Sequence, residues 1–88
     1  MNLLQIKATI TDIESKLDKN GHPFYKISLS GLPNYFYAFS FSLKETALNL
    51  LTETPEKLVH QLTLITYEKL PNKENLGTFC KVKEIQLL

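Results

Sequence analysis

The sequence predicts a small, mostly β domain in which five strands curl into a barrel and one helix lies between the third and fourth strands. Apolar residues alternate with polar ones through residues 3–15 and again through residues 22–30, which is typical of strands with one buried face. Asn20-Gly21 lies between these runs and indicates a tight hairpin turn, because both residues tolerate positive φ angles. The alternation slips near residues 11–14, which predicts a bulge that bends the first strand.

The second strand of this hairpin, residues 22–30, has two faces that can be assigned from the alternation. Its apolar face predicts that Tyr25, Ile27 and Leu29 point into the core. The opposite face, which carries Phe24, Lys26 and Ser28, then points outward. The second strand therefore predicts an outer surface with an aromatic and a basic side chain side by side.

The third strand is predicted over residues 35–41, after a turn at residues 31–34 that is rich in Gly, Pro and Asn. Aromatic residues dominate it, and they favour strands because they fit a pleated, half-buried surface. Two orientations remain open. In the favoured one, the face with four aromatic residues lies in the core beneath the helix and leaves Phe36 exposed; these four are Tyr35, Tyr37, Phe39 and Phe41. In the other, a bulge turns Tyr35 and Tyr37 outward while Phe39 and Phe41 stay inside.

A helix is predicted over residues 43–52, where apolar residues recur at helical spacing. Ser42 and Glu45 have the spacing of a capping box, in which Ser42 caps the first turn and Glu45 reaches back to the Ser42 amide. Residues 54–56 predict a second short helical turn, because Pro55 suits a first helical position.

The last two strands are predicted over residues 61–68 and 78–87, with a polar loop at residues 70–77 between them. On the fifth strand, the alternation places one set of residues inside and the other outside. The inward set is Cys80, Val82 and Ile85, and the outward set is Phe79, Lys81 and Lys83.

Composition predicts a single globular domain of 88 residues, 43% hydrophobic and 22% charged. The net charge is +1, so any binding of nucleic acid must depend on a local patch. No apolar run is long enough to cross a bilayer and no signal peptide is visible, which leads us to expect a soluble, cytoplasmic protein. The single cysteine and the two separated histidines, His22 and His60, do not form a metal-ligand pattern, and no catalytic constellation is visible. We therefore expect a non-catalytic protein without a cofactor or metal.

The order of these elements resembles the OB-fold, a five-stranded Greek-key barrel that binds oligonucleotides and oligosaccharides. The resemblance is carried by the long hairpin of residues 3–30, the helix that follows Ser42 and the loop between residues 67 and 79. Within the fold, the chain is similar to bacterial single-stranded-DNA-binding proteins, the small subunits of replication protein A and anticodon-binding domains. It departs from many single-strand binders because it has no tryptophan.

The resemblance implies a groove across strands two and three, where bases stack on aromatic side chains and lysines contact the backbone. The candidate nucleic-acid-binding residues are Phe24, Tyr25, Lys26, Tyr35, Phe36, Tyr37, Lys69, Lys73, Phe79, Lys81 and Lys83. The expected function is binding of single-stranded nucleic acid, with DNA preferred over RNA, as an accessory factor in replication or repair. The alternative is a subunit that docks on a polymerase, a helicase or another copy of itself, since aromatic residues are also enriched in protein interfaces.

Overall fold

The structure, a computed structural model, describes residues 3–71 and 78–88, so most of the predicted polar loop lies outside the described residues. Five strands, one helix and one short 3-10 turn follow each other along the chain. In order, they are β1 (Leu3–Leu17), β2 (Pro23–Leu29), β3 (Phe36–Phe39), α1 (Glu45–Glu53), the 3-10 turn (Pro55–Lys57), β4 (Leu62–Pro71) and β5 (Thr78–Leu87). The predicted mostly β domain with one helix between the third and fourth strands is confirmed.

The five strands form one sheet that closes on itself into a ring, in the spatial order β1-β2-β3-β5-β4. The first half of β1 pairs with β4 and the second half pairs with β2, both antiparallel. On the other side of the ring, β3 lies antiparallel to β2 and parallel to β5. The long strand β1 therefore links β4 to β2 within the ring.

The β1–β2 hairpin has the predicted bulge and the predicted turn. The register between β1 and β2 shifts between Ile10 and Asp12, so β1 bends where it leaves β4 and begins to pair with β2. In the turn, the Gly21 amide donates to the Asp18 carbonyl oxygen at 3.0 Å, and Gly21 has a φ of +82°. Asn20 does not have a positive φ. In the described chain, His60 is the one non-glycine residue that does. The loop of residues 18–22 therefore has one left-handed residue, Gly21, instead of two.

The core fills the inside of the ring and continues under the helix. Its fully buried members include Ile10, Ile27 and Ile65 on the strands and Leu51 and Leu58 on the helical connection. The predicted inward sets on β2 and β5 are confirmed, since all six residues are buried: Tyr25, Ile27, Leu29, Cys80, Val82 and Ile85.

The helix packs against the core through Ala47 and Leu51, and its start differs from the prediction. Lys44, not Ser42, is the N-cap residue, and no side chain caps the helix, so the predicted capping box of Ser42 and Glu45 is wrong. The Ser42 amide instead donates to the Phe39 carbonyl oxygen at 2.9 Å, in a turn that leaves β3. The Lys44 amide donates to the Lys83 carbonyl oxygen at 3.1 Å, which attaches the start of the helix to β5. Neither helical segment of the described chain is long and apolar enough to cross a membrane.

The third strand shows the largest departure from the prediction. Phe36 is 3% exposed and Ala38 is fully buried, whereas Tyr37 and Phe39 lie on the outer face. The favoured orientation, with Phe36 outside, is therefore wrong, and so is the placement of Phe39 inside. The reason is volume: a closed ring of five strands accepts one phenylalanine and one alanine from β3 but has no room for a row of large aromatic rings.

Candidate functional site

The outer face of β2, β3 and β5 carries five aromatic side chains in a continuous cluster, which we call the aromatic platform: Phe24, Tyr37, Phe39, Phe41 and Phe79. The Phe39 ring is central, with its centroid 5.6 Å from that of Phe24, 5.7 Å from that of Phe41 and 6.5 Å from that of Phe79. Tyr37 completes the cluster, 6.5 Å from Phe24 and 6.4 Å from Phe79. These separations lie in the range in which aromatic side chains contact one another.

Strand register explains why the five rings meet. Phe24 on β2 lies directly opposite Phe39 on β3, and side chains on the same face of neighbouring strands come into contact. Phe79 precedes the inward Cys80 on β5, so it points outward, next to β3. Phe41 follows β3 and is 69% exposed, which leaves most of its surface open to a ligand.

Two lysines lie on the strands that neighbour Tyr37, one on each side of it. Tyr37 is paired in register with Lys26 of β2 on one side and with Lys81 of β5 on the other. The Lys26 Nζ lies 3.9 Å from the ring centroid of Tyr35, and the Lys81 Nζ lies 6.0 Å from that of Phe41. Within residues 3–71 and 78–88, neither lysine forms an ion pair with a carboxylate. Both positive charges are therefore available beside aromatic surface.

Lys83, the other lysine predicted on the outer face of β5, forms an ion pair with a carboxylate. Its Nζ lies 3.8 Å from a carboxylate oxygen of Glu68, with both side chains partly buried. The register of β5 against β4 also shifts at this point, between Thr66 and Tyr67. Because its charge is compensated, Lys83 contributes less positive potential to the platform than Lys81 does.

A groove of about 370 Å³ adjoins the platform, and its described lining includes no residue of α1. Its described lining comprises Ile6, Leu32, Pro33, Asn34, Tyr35, Phe36, Tyr37, Tyr67, Lys69, Thr78, Phe79 and Cys80. Tyr37 and Phe79 belong to both the platform and the groove, so the two surfaces are continuous. Lys69 is exposed and forms no ion pair in the described chain. Burial raises the pKa of the Cys80 thiol, and the positive charge of Lys69 acts in the opposite direction.

Most of the predicted site residues meet on this surface. The structure brings together Phe24, Lys26, Tyr35, Tyr37, Lys69, Phe79 and Lys81. Tyr25 and Phe36 are core residues, 6% and 3% exposed, so their prediction as binding residues is corrected. Lys83 is engaged with Glu68, and Lys73 lies outside the described residues.

Phe39 and Phe41 are platform residues that sequence reasoning missed. Both belong to the run of aromatic residues at every second position after Tyr35, and both were expected inside under either orientation of the strand. The signal that identifies them is the limited volume of a five-stranded ring, because four large inward rings from one strand would overfill it.

No three His, Cys, Asp or Glu side chains of the described residues come together as a metal-binding group. The chain matches no protein-family model, and no curated protein sequence is significantly similar to it. The geometry of the platform and the groove is therefore the basis for an inference about function.

Proposed function

We propose that this chain is an OB-fold domain that binds single-stranded nucleic acid on the aromatic platform, with DNA preferred over RNA. It acts without catalysis, as an accessory factor in replication or repair. The observation that carries the proposal is the cluster of five outward aromatic rings, flanked in register by Lys26 and Lys81. Aromatic faces stack on unpaired bases, and lysines beside them contact the phosphates.

Strand order supports the Greek-key part of the proposal. A Greek key has three consecutive strands and a fourth that returns by a long connection to lie beside the first, in the spatial order 4-1-2-3. Here β4 returns through the helical connection to pair with β1, next to β2 and then β3. The platform also lies across the outer face of strands two and three, which is where OB-folds bind oligonucleotides.

The expected affinity follows from the number of rings and free charges. Each stacked base contributes about 1–3 kcal/mol, so two or three bases on the platform contribute about 2–9 kcal/mol. Micromolar binding corresponds to about 8 kcal/mol, so stacking alone reaches it only with three bases near the upper limit of this range. Contacts from two or three of the lysines Lys26, Lys69 and Lys81 predict a slope of roughly −1.4 to −2.1 for log affinity against log salt.

The test is a fluorescence-anisotropy titration of a labelled thymidine oligomer at several salt concentrations, with Tyr37→Ala and Phe41→Ala as platform variants. We expect each variant to weaken binding about 5- to 150-fold, the equivalent of one stacked base. Leu62→Ala is the matched control, because Leu62 is an exposed apolar residue on β4, outside the platform. Unchanged affinity in both platform variants, each checked for folding by circular dichroism, would contradict the proposed site.

A docking module is the second candidate function. The low net charge of +1 and the exposure of Phe41 and Tyr35 suit an apolar protein interface as well as a base-stacking surface. The partner would be a polymerase, a helicase or a second copy of this chain. The salt series distinguishes the two functions, because docking of apolar surface depends little on salt. Absence of binding to the thymidine oligomer at low salt would favour docking.

A further inference from the structure

The groove beside the platform has the size and the lining of a site for a single nucleotide. Its volume of about 370 Å³ lies at the lower end of the range for small-ligand pockets, about 300–1,000 Å³, so it accepts one small ligand and not a run of bases. Tyr35, Tyr37 and Phe79 contribute aromatic surface to its wall, and Asn34 contributes an amide that can both donate and accept hydrogen bonds.

The groove also has a positive charge on its own lining. Lys69 lies at the end of β4, and its register partner is Cys80, which lies on the groove lining. Lys69 itself lines the groove and is exposed, so its charge lies at the groove surface. Aromatic side chains beside one cation are complementary to a planar base that bears a phosphate.

We infer that the groove is a subsite for the terminal nucleotide of the bound strand, with the base against Tyr35, Tyr37 and Phe79 and the terminal phosphate at Lys69. The inference rests on the proposed function, since the strand reaches the groove across Tyr37 and Phe79, which both surfaces share. A terminal phosphate suits a single lysine better than an internal one, because a phosphate monoester carries about −1.5 to −2 charges at neutral pH and a diester carries only one.

The first test compares thymidine oligomers of equal length that carry a 5′-phosphate, a 3′-phosphate or no terminal phosphate, using the full chain. We expect one of the two phosphorylated ends to strengthen binding about 10- to 150-fold, the equivalent of one charged hydrogen bond. Lys69→Gln should abolish this difference. Lys57→Gln should preserve it, because Lys57 is exposed in the 3-10 turn, away from the groove lining.

The second test uses Cys80, the only cysteine of the chain, as a reporter of groove occupancy. Thymidine monophosphate should slow the reaction of this thiol with a maleimide, whereas inorganic phosphate at the same concentration should not. Equal affinity for all three oligomers, or a labelling rate unaffected by the nucleotide, would overturn the inference. Either result would leave the proposed function standing as long as Tyr37→Ala and Phe41→Ala still weaken binding of the oligomer.

Discussion

At the residue scale, Phe36 and Phe41 are two phenylalanines of the same segment in opposite environments. Phe36 meets Tyr67 edge to face at 4.9 Å inside the ring, whereas Phe41 is 69% exposed on the platform. Phe36→Ala should lower the free energy of unfolding by about 3–5 kcal/mol, because it leaves a cavity in the core. Phe41→Ala should change it by less than about 0.5 kcal/mol. Urea denaturation measures both, and similar losses in the two variants would contradict the assignment of the faces of β3.

His60 has a backbone φ of +69°, which is strained for a residue with a Cβ and should lower the stability of the chain. Its amide donates to the carbonyl oxygen of Ile10, so the backbone contact holds the residue in this conformation. His60→Gly should raise the free energy of unfolding by up to about 1 kcal/mol, because the left-handed strain that it relieves, about 1–2 kcal/mol, exceeds the extra chain entropy that glycine loses on folding, about 0.5–1 kcal/mol. His60→Ala, which keeps the strain, is the control. A lower melting temperature for the glycine variant than for the alanine variant would contradict the argument.

At the element scale, the β1–β2 turn depends on one carboxylate. The Asp18 Oδ1 accepts hydrogen bonds from the amides of His22 at 2.8 Å and Asn20 at 2.9 Å. The hydrogen bond from the His22 amide is the largest of the influences that lower the pKa of Asp18 below its usual 3.8. Because the charged form is favoured in the folded state, its contribution to stability is present above pH 3.8 and is lost as the pH falls through the lower folded value.

Asp18→Asn should therefore lower the melting temperature at neutral pH, because an amide oxygen accepts hydrogen bonds less strongly than a carboxylate. The difference from the wild-type chain should shrink as the pH falls below about 3.8, where the wild-type carboxyl also becomes neutral. Thermal unfolding over a pH series measures this. Asp12→Asn controls for the removal of one negative charge from the hairpin, and a difference for Asp18→Asn that grows toward acid pH would contradict the prediction.

The local sequence pattern predicts the strands and the helix of this chain better than it predicts which face of a strand is buried. Alternation along β2 and β5 identifies the inward residues because apolar and polar side chains differ clearly there. In β3, both faces carry aromatic rings, so the alternation gives the period of the strand but not which face is buried. The available volume inside the ring decides that, and volume is a property of five strands together. The predicted start of the helix is wrong for a similar reason. The Ser42 amide already donates a hydrogen bond to the Phe39 carbonyl oxygen, in a turn that precedes the helix.

At the scale of the whole molecule, the distribution of charge matters more than its sum. Three lysines of the described chain are compensated by glutamates, in the pairs Lys16–Glu14, Lys44–Glu84 and Lys83–Glu68. Three others, Lys26, Lys69 and Lys81, border the aromatic platform or the groove without such a partner in the part of the chain described. A chain with a net charge of +1 thus presents a local positive border around aromatic surface.

The site could be predicted only in part, because its members come from distant parts of the sequence. Phe24 and Lys26 follow from the alternation of β2 alone, and Lys81 and Phe79 follow from that of β5. Their meeting depends on the parallel pairing of β3 with β5, in which Phe36 lies opposite Cys80. No local pattern encodes that pairing, so the sequence predicts the residue types of the site but not the geometry that joins them.

Closure of the ring has a consequence for how the chain folds. The β1–β4 pairing joins residues more than fifty positions apart, from Thr9 with Leu62 to Leu3 with Glu68. Such contacts must first overcome the entropy of closing a long loop, so topologies rich in them fold slowly, in milliseconds to seconds. The β1–β2 hairpin forms from local contacts, but the platform needs β3 and β5 side by side. A nascent or partly folded chain therefore lacks the aromatic platform, and the proposed binding of nucleic acid requires complete folding.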